Sequence, residues 1–158
     1  MTERNRKLHD NLKTLYEDYT DTLLFHGWHH IQFVARKSVE FARELHANEE
    51  YTEAAALTHD LNYIVDVKSM ADAGRELRAE HLRQVGYSNE EIDAIEDTIH
   101  TASTENRHAN ISDMAKALAD ADSIFKVLPV GPIVLSSRFI AETQVDIRKW
   151  ADRIIREQ

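Results

Sequence analysis

The sequence predicts an all-α fold, a single compact bundle of about six to seven helices. Only four glycines and two prolines interrupt the 158 residues, and apolar residues mostly recur at helical spacing. This length suits about one domain that buries a core of its own. We therefore expect one domain over residues 1–158, with its candidate functional residues at about 25–127 and a packing helix at about 136–157.

The first two predicted helices each carry one apolar stripe. The first runs from about Glu3 to Tyr19 and the second from about Trp28 to Leu45. Side chains three or four positions apart share a helix face, so each stripe predicts the side that packs inward. The inward residues are Leu8, Leu12 and Leu15 in the first helix and Ile31, Val34, Ala35, Val39 and Ala42 in the second.

The third and fourth predicted helices differ in polarity. The third, "YTEAAALTHDLNY", is apolar nearly all round, which predicts a central helix buried by its neighbours. The fourth, "SMADAGRELRAEHLRQVG", is polar, and Gly86 is its stop signal. His81 lies among Arg78, Glu80 and Arg83 in this helix, which favours a solvated face there.

Capping signals introduce two of the remaining helices. Ser88 and Glu91 form a capping box that opens "NEEIDAIEDTIH". Ser112 or Asp113 lies near the N-cap of "ISDMAKALADADSIFKVL", and Pro129 and Gly131 end that helix. The last helix, "SSRFIAETQVDIRKWADRIIRE", offers these residues for packing: Phe139, Ile140, Val145, Ile147, Trp150, Ile154 and Ile155.

Composition narrows the function classes. The net charge is −9, and the 19 basic residues are scattered among 28 acidic ones, which argues against a nucleic-acid polymer as ligand. Cysteine is absent, which excludes disulfides, thiolate metal sites and a cysteine nucleophile. No apolar run approaches the ~18 residues of a membrane span, and the first residues lack a signal-peptide pattern. We expect a soluble, cytoplasmic protein whose oligomeric state is open, a homodimer included.

The dipeptide His59-Asp60 stands inside the apolar third helix. Burying an unpaired imidazole and an ionised carboxylate costs several kcal/mol, so something must compensate them. A divalent cation bound by both residues meets that need. The same dipeptide occurs at His9-Asp10, but in a hydrophilic segment that we expect at the surface.

Three histidines in "FHGWHH" lie where the second helix begins. If that helix starts near Gly27, His30 falls in its first inward turn and is the preferred ligand, with His29 as the alternative. His26 then lies in the preceding turn. From there it reaches the site at the rim and can supply a proton.

In "LADADSIF", Asp120 and Asp122 interrupt an apolar segment. They project about 200° apart on a helix, so at most one readily faces the core. Together with His30, His59 and Asp60, that aspartate gives a four-residue shell of nitrogen and oxygen ligands. Such a shell suits Mn, Fe, Co, Ni or Zn better than calcium.

These segments resemble the HD superfamily of metal-dependent phosphohydrolases, in which H, HD and D motifs lie on different helices of an all-α bundle. The resemblance covers roughly residues 25–127. "HHIQFVA" is similar to the first motif and selects His30, "AALTHDLNY" to the central one, and "ALADADSIF" to the last, where the second aspartate, Asp122, is the ligand. The resemblance implies one or two divalent metal ions that activate water to cleave a small-molecule phosphomonoester or phosphodiester, with a nucleotide as the substrate class. Asp60 would then orient the water as well as bind metal.

Further roles follow from branches of the same superfamily. "FHGWHH" is similar to a motif of cyclic-nucleotide phosphodiesterases, which implies that His26 protonates the leaving alkoxide. "IEDTIHTAS" is similar to a segment that binds a second metal, which proposes His100 as a ligand or general acid. His81 and His108 are weaker candidates. Several members keep an acidic residue where this chain has Tyr63, so Asp66 would take over that role if the chain turns back towards the metal.

Two alternatives stay open at this point. Extra histidines are also found in HD-type proteins that hold two irons and carry out oxygen-dependent cleavage. The fold also serves as a non-catalytic module that senses a nucleotide. Oxygen consumption would favour the first alternative, and saturable binding without turnover would favour the second.

Overall fold

The computed structural model describes residues 1–106, 110–128 and 135–149, and these residues contain helices and no strand. The predicted all-α class is confirmed for them. They include eight α-helices and a 3₁₀ turn at Ala71–Gly74. The helices are α1 (Glu3–Glu17), α2 (Trp28–Glu44), α3 (Glu49–Thr58), α4 (Asn62–Val65), α5 (Arg75–Gln84), α6 (Asn89–Ala102), α7 (Asp113–Val127) and α8 (Ser136–Thr143). None of the described helices is long and apolar enough to cross a membrane.

Helix α3 is the central helix of the bundle, as its sequence predicts. It packs against α1, α2, α6 and α7, and every residue from Thr52 to Thr58 is buried. Small side chains at Ala54, Ala55 and Ala56 allow the neighbouring helices to approach closely. This packing brings the end of α3 close to α2 and α7.

The predicted helix caps are present. Ser88 and Glu91 form the capping box of α6, and Ser112 rather than Asp113 is the N-cap of α7. Gly86 follows α5 with a φ of 97°. Only glycine adopts that left-handed conformation at little cost, so the predicted stop signal has its expected physical basis.

The predicted third helix is too long at its C-terminal end. α3 ends at Thr58, and His59–Leu61 form a turn before α4. The Thr58 hydroxyl donates to the Ala54 carbonyl oxygen at 2.8 Å, and the Leu61 N–H donates to the Thr58 carbonyl oxygen at 3.1 Å. This three-residue spacing tightens the chain, so His59 and Asp60 stand in a turn and not within a helix.

The predicted last helix is interrupted, and residues 147–149 are helical again after the break. α8 ends at Thr143, because Gln144 adopts a φ of 55° that cannot continue an α-helix. Ile147, expected to pack inward, is 63% exposed. Trp150, Ile154 and Ile155 lie outside the described residues.

Helix α5 buries the charged side chain of Arg78, which the sequence predicts to lie on a solvated face. Arg78 is 1% exposed, and its Nε and Nη2 donate to the two Glu96 carboxylate oxygens on α6 at 2.7 and 2.6 Å. Its Nη1 also donates to the Ala71 carbonyl oxygen at 2.7 Å. The side chain therefore ties α5, α6 and the 3₁₀ turn together, and that turn forms part of the cavity described below.

Candidate metal centre and its cavity

Four side chains from three parts of the bundle meet in one cluster. His30 lies in the first turn of α2 and is fully buried, His59 and Asp60 lie in the turn after α3, and Asp122 lies on α7. His30 Nε2 is 3.1 Å from Asp60 Oδ2 and 3.4 Å from Asp122 Oδ1. His59 Nε2 is 3.2 Å from the same Asp60 oxygen. We call these four residues the His/Asp cluster.

A backbone hydrogen bond determines which nitrogen of His59 faces the cluster as an acceptor. His59 Nδ1 lies 2.8 Å from the Ala56 carbonyl oxygen. A carbonyl oxygen only accepts, so Nδ1 carries the donated proton. In the neutral ring, Nε2 then holds a lone pair. That lone pair faces the Asp60 carboxylate, so two hydrogen-bond acceptors, His59 Nε2 and Asp60 Oδ2, lie 3.2 Å apart with no proton between them.

No donor among the described residues satisfies these buried acceptors. His30 Nε2, His59 Nε2 and Asp60 Oδ2 are buried and have no partner in hydrogen-bond geometry there. Most buried side-chain polar atoms have such a partner. Acceptors that converge without one indicate a site built around a positive charge, which a proton or a metal ion can supply.

The pKa values of the cluster residues also indicate that the site requires positive charge. Burial alone would raise the pKa of Asp60, but the two histidines beside it hold this pKa well below its usual range. Burial also opposes ionisation of Asp122, but Lys126, His30 and His59 lower its pKa to about 2. Both carboxylates are therefore ionised at neutral pH. Burial would lower the pKa of His59, but the Asp60 carboxylate outweighs burial and raises it.

The donor atoms are close enough to share one ion. His30, His59 and Asp122 each offer a ligand atom, and these atoms lie within 4.8 Å of one another. This group could hold a metal ion. Asp60 contacts both histidines of the group, and its Oδ2 lies 3.1 Å from His30 Nε2 and 3.2 Å from His59 Nε2.

The cluster forms part of the wall of a cavity of about 210 Å³. His59, Asp60 and Asp122 border this space directly. Most other lining side chains are apolar or uncharged, while Glu105 and Lys126 are charged. The cavity thus combines a carboxylate and imidazole surface with a mainly neutral compartment. The remaining lining residues are Phe25, His26, Asn62, Tyr63, Ser69, Met70, Ala71, Ile99, Ala102, Ser103, Thr104, Leu118, Ala119, Ser136 and Phe139.

His26 lies at the edge of the cluster in a pair with Glu142 of α8. His26 Nδ1 is 2.5 Å from Glu142 Oε1, and the other carboxylate oxygen accepts the Phe25 and His26 backbone N–H groups at 2.6 and 3.2 Å. The imidazole also stacks on Tyr63, with ring centroids 3.7 Å apart. Burial raises the pKa of Glu142, but these hydrogen bonds outweigh burial and lower it. An ionised Glu142 therefore accepts from Nδ1–H, and His26 Nε2 is the nitrogen left for chemistry.

The structure separates the alternatives that the sequence left open. His30 is 0% exposed in the cluster, whereas His29 is exposed. Asp122 belongs to the cluster, whereas Asp120 is exposed on the other side of α7. His9 and Asp10, the second copy of the dipeptide, contact each other near the surface at 3.1 Å.

Several predicted residues are not brought to the cluster. His100 is half exposed, and its Nδ1 lies 3.0 Å from Asp72. Asp66 is exposed, and its carboxylate accepts the Lys68 N–H at 2.9 Å in a local turn. His81 is half-buried on α5 and does not line the cavity. His108 lies outside the described residues.

Two residues of this region escaped the sequence analysis. Glu142 reaches His26 across 116 positions of sequence, and nothing in "RFIAETQ" marks it as different from a surface glutamate. Lys126 lies four residues after Asp122, and its Nζ is 2.8 Å from Asp122 Oδ2. The helical spacing from Asp122 was a usable signal for Lys126, because residues four apart are neighbours on a helix.

Comparison with known proteins supports the fold. No family model matches the sequence, and no curated protein matches it. A crystal structure of Bacillus subtilis YpgQ is similar, with a TM-score of 0.63 and 24% sequence identity, covering 90% of this chain and 70% of that chain. At this identity the likeness concerns the helical architecture alone.

Proposed function

We propose that the protein is a metal-dependent phosphohydrolase that cleaves a phosphomonoester or phosphodiester of a small molecule, with a nucleotide as the favoured substrate class. The observation that carries the proposal is a pair of buried hydrogen-bond acceptors that face each other beside a cavity. His59 Nε2 and the Asp60 carboxylate face each other at 3.2 Å and border a space that a small ligand can enter. The nucleotide class rests on the resemblance of the three sequence segments to the HD superfamily.

His30, His59, Asp60 and Asp122 are the residues that would hold the metal. A divalent metal there would polarise a phosphoryl oxygen and lower the pKa of a bound water towards neutrality. Contacts within the protein hold the two imidazole rings in position. The Ala56 carbonyl orients His59, and burial in the first turn of α2 orients His30.

Asp60 and His26 have the positions needed for proton transfer. Asp60 is the carboxylate beside both histidines, so it can orient the attacking water as well as bind metal. His26 borders the same cavity, and Glu142 accepts its Nδ1–H. This leaves His26 Nε2 to carry a proton to the leaving oxygen, which is the role of a general acid.

The assay that tests this proposal compares the two copies of the HD dipeptide. Purified protein supplied with manganese, iron or zinc in turn is given p-nitrophenyl phosphate and bis(p-nitrophenyl) phosphate, and p-nitrophenol release is followed. Asp60→Ala should lower turnover by at least about 10²-fold, because it removes a metal ligand and the group that orients water. Asp10→Ala alters the same dipeptide near the surface and should leave turnover unchanged.

Two results would contradict the proposal. Equal turnover in Asp60→Ala and wild type would remove the cluster from the reaction. Saturable nucleotide binding without turnover under any metal would favour the sensing module instead. Neither His100 nor His81 joins the cluster, so no observation on the described residues favours the dinuclear-iron oxygenase.

A further inference from the structure

Lys126 contacts one of the candidate metal ligands and also lines the cavity. It lies one helical turn after Asp122 on α7, and its Nζ is 2.8 Å from Asp122 Oδ2. The other oxygen of the same carboxylate faces His30 Nε2 at 3.4 Å. Lys126 also lines the cavity, and 44% of its side chain is exposed. One carboxylate thus joins the cluster to a cationic side chain on the cavity wall.

We propose that Lys126 exchanges partners and becomes the anion-binding residue for the phosphoryl group. In the structure Lys126 pairs with Asp122, and it would turn to an oxygen of the substrate anion if that carboxylate held a divalent cation. The inference rests on the proposed function of this site. It names the residue that would recognise the charged part of the substrate.

Charge balance supports the exchange. Asp60 and Asp122 bring two negative charges to a buried region, and the Lys126 ammonium offsets one of them. A divalent cation among the same donors would supply both charges and would repel the ammonium at short range. Lys126 is partly exposed and has a flexible four-carbon stem, so its Nζ can reach more than one position.

In the cavity, the Lys126 ammonium group is placed to bind an anionic substrate. Among the described residues that line it, Lys126 is the only lysine or arginine. An ester of phosphoric acid that reaches the cluster must bring its negative charge past this wall. Lysine binds phosphate oxygens as a compact charge, and bonds to charged groups are the stronger class of hydrogen bond.

The same helix provides a matched control. Lys116 of α7 is also 44% exposed, and its Nζ pairs with Asp113 at 2.7 Å. This pair lies at the opposite end of the helix, and neither residue borders the cavity. Removing the Lys116 charge therefore changes the net charge and a helix ion pair as Lys126→Met does, but leaves the site intact.

The test is calorimetric binding in two steps, neither of which needs turnover. Manganese is titrated into wild type, Lys126→Met, Lys126→Arg and Lys116→Met. Inorganic phosphate is then titrated into each manganese-loaded protein after removal of excess metal. Lys126→Met should bind manganese at least as tightly as wild type but phosphate at least about tenfold more weakly. Lys126→Arg keeps the charge and should retain most of the phosphate affinity, and Lys116→Met should match wild type in both steps.

The outcomes separate this inference from the function on which it rests. Wild-type phosphate affinity in Lys126→Met would overturn the inference alone. Loss of manganese binding in Lys126→Met would also overturn it, because Lys126 would then maintain the cluster and not compete with the cation. A wild-type protein that binds no divalent metal would overturn the proposed function, and the inference with it.

Discussion

At the scale of single residues, one backbone contact shapes the chemistry of the site. The Ala56 carbonyl oxygen accepts the His59 Nδ1 proton at 2.8 Å, so in the neutral ring Nε2 carries the lone pair and faces Asp60. Glu142 acts on His26 in a similar way, because its carboxylate accepts Nδ1–H and leaves the other nitrogen to exchange protons. In both cases a fixed partner on one side of the ring determines what the other side can do.

The pairing of Glu142 with His26 predicts a kinetic effect without loss of metal. Glu142→Gln replaces an ionised acceptor by a neutral amide, so His26 is oriented less well. We expect kcat to fall about tenfold or more while the metal content per chain stays at the wild-type value. Reduced metal content in Glu142→Gln would contradict a role limited to positioning His26.

Glu142 also predicts acid sensitivity of the fold. The pKa of Glu142 is lowered from its ordinary value of 4.5, so the unfolded chain takes up this proton before the folded protein does. Its stabilisation is therefore complete above about pH 4.5 and is lost as the pH falls through the lower, folded-state pKa. Urea unfolding at several pH values should show wild type more stable than Glu142→Gln at pH 7, with the difference shrinking in acid. A difference that grows in acid would contradict the assignment.

At the scale of secondary-structure elements, the ends of helices build the site. The end of α3 at Thr58 presents His59 and Asp60, and the first turn of α2 presents His30. Helix α8 is bound to the segment just before α2, because Glu142 accepts the backbone N–H groups of Phe25 and His26. The arrangement of these ends, more than any one helix, positions the donors.

The junction of α5 and α6 offers a prediction with an internal control. Arg78→Met removes a buried partner of Glu96 and leaves that carboxylate uncompensated, which should destabilise the fold by about 3–5 kcal/mol. Arg75→Met breaks an exposed pair with Asp93 between the same two helices and should change stability little. Chemical denaturation measures both. Equal losses would mean that burial of the Arg78–Glu96 pair has no special weight.

At the scale of the whole molecule, the sequence predicts the helical architecture well, but it predicts helix ends and long-range side-chain contacts less well. Helical spacing of apolar residues marks most helices, and the apolar surroundings of His59 and Asp60 single out the dipeptide from its copy at residues 9–10. The end of α3 at Thr58 could not be predicted, since no glycine or proline marks a stop there and the interruption depends on short-range turn bonds. Glu142 could not be predicted either, because its importance arises from a contact made only after the chain has folded.

Metal binding should stabilise the entire domain, because the candidate ligands come from α2, the turn after α3, and α7. A ligand at about one hundred times its dissociation constant adds about 2.7 kcal/mol to folding. For a domain of this size that corresponds to a rise in Tm of about 5–10 °C. Thermal unfolding with and without manganese measures it. Asp122→Ala should show no such rise, and an equal rise in that variant would place the metal elsewhere.

The most direct test of the central claim is metal content per chain in a pair of neighbouring variants. Protein prepared without affinity metal is exposed to manganese, desalted and analysed for the element. Wild type and Asp120→Ala should retain about one ion per chain, since Asp120 is exposed and outside the cluster, while Asp122→Ala should retain almost none. No retained metal in wild type, or equal retention in the two variants, would contradict the claim that His30, His59, Asp60 and Asp122 form a metal centre.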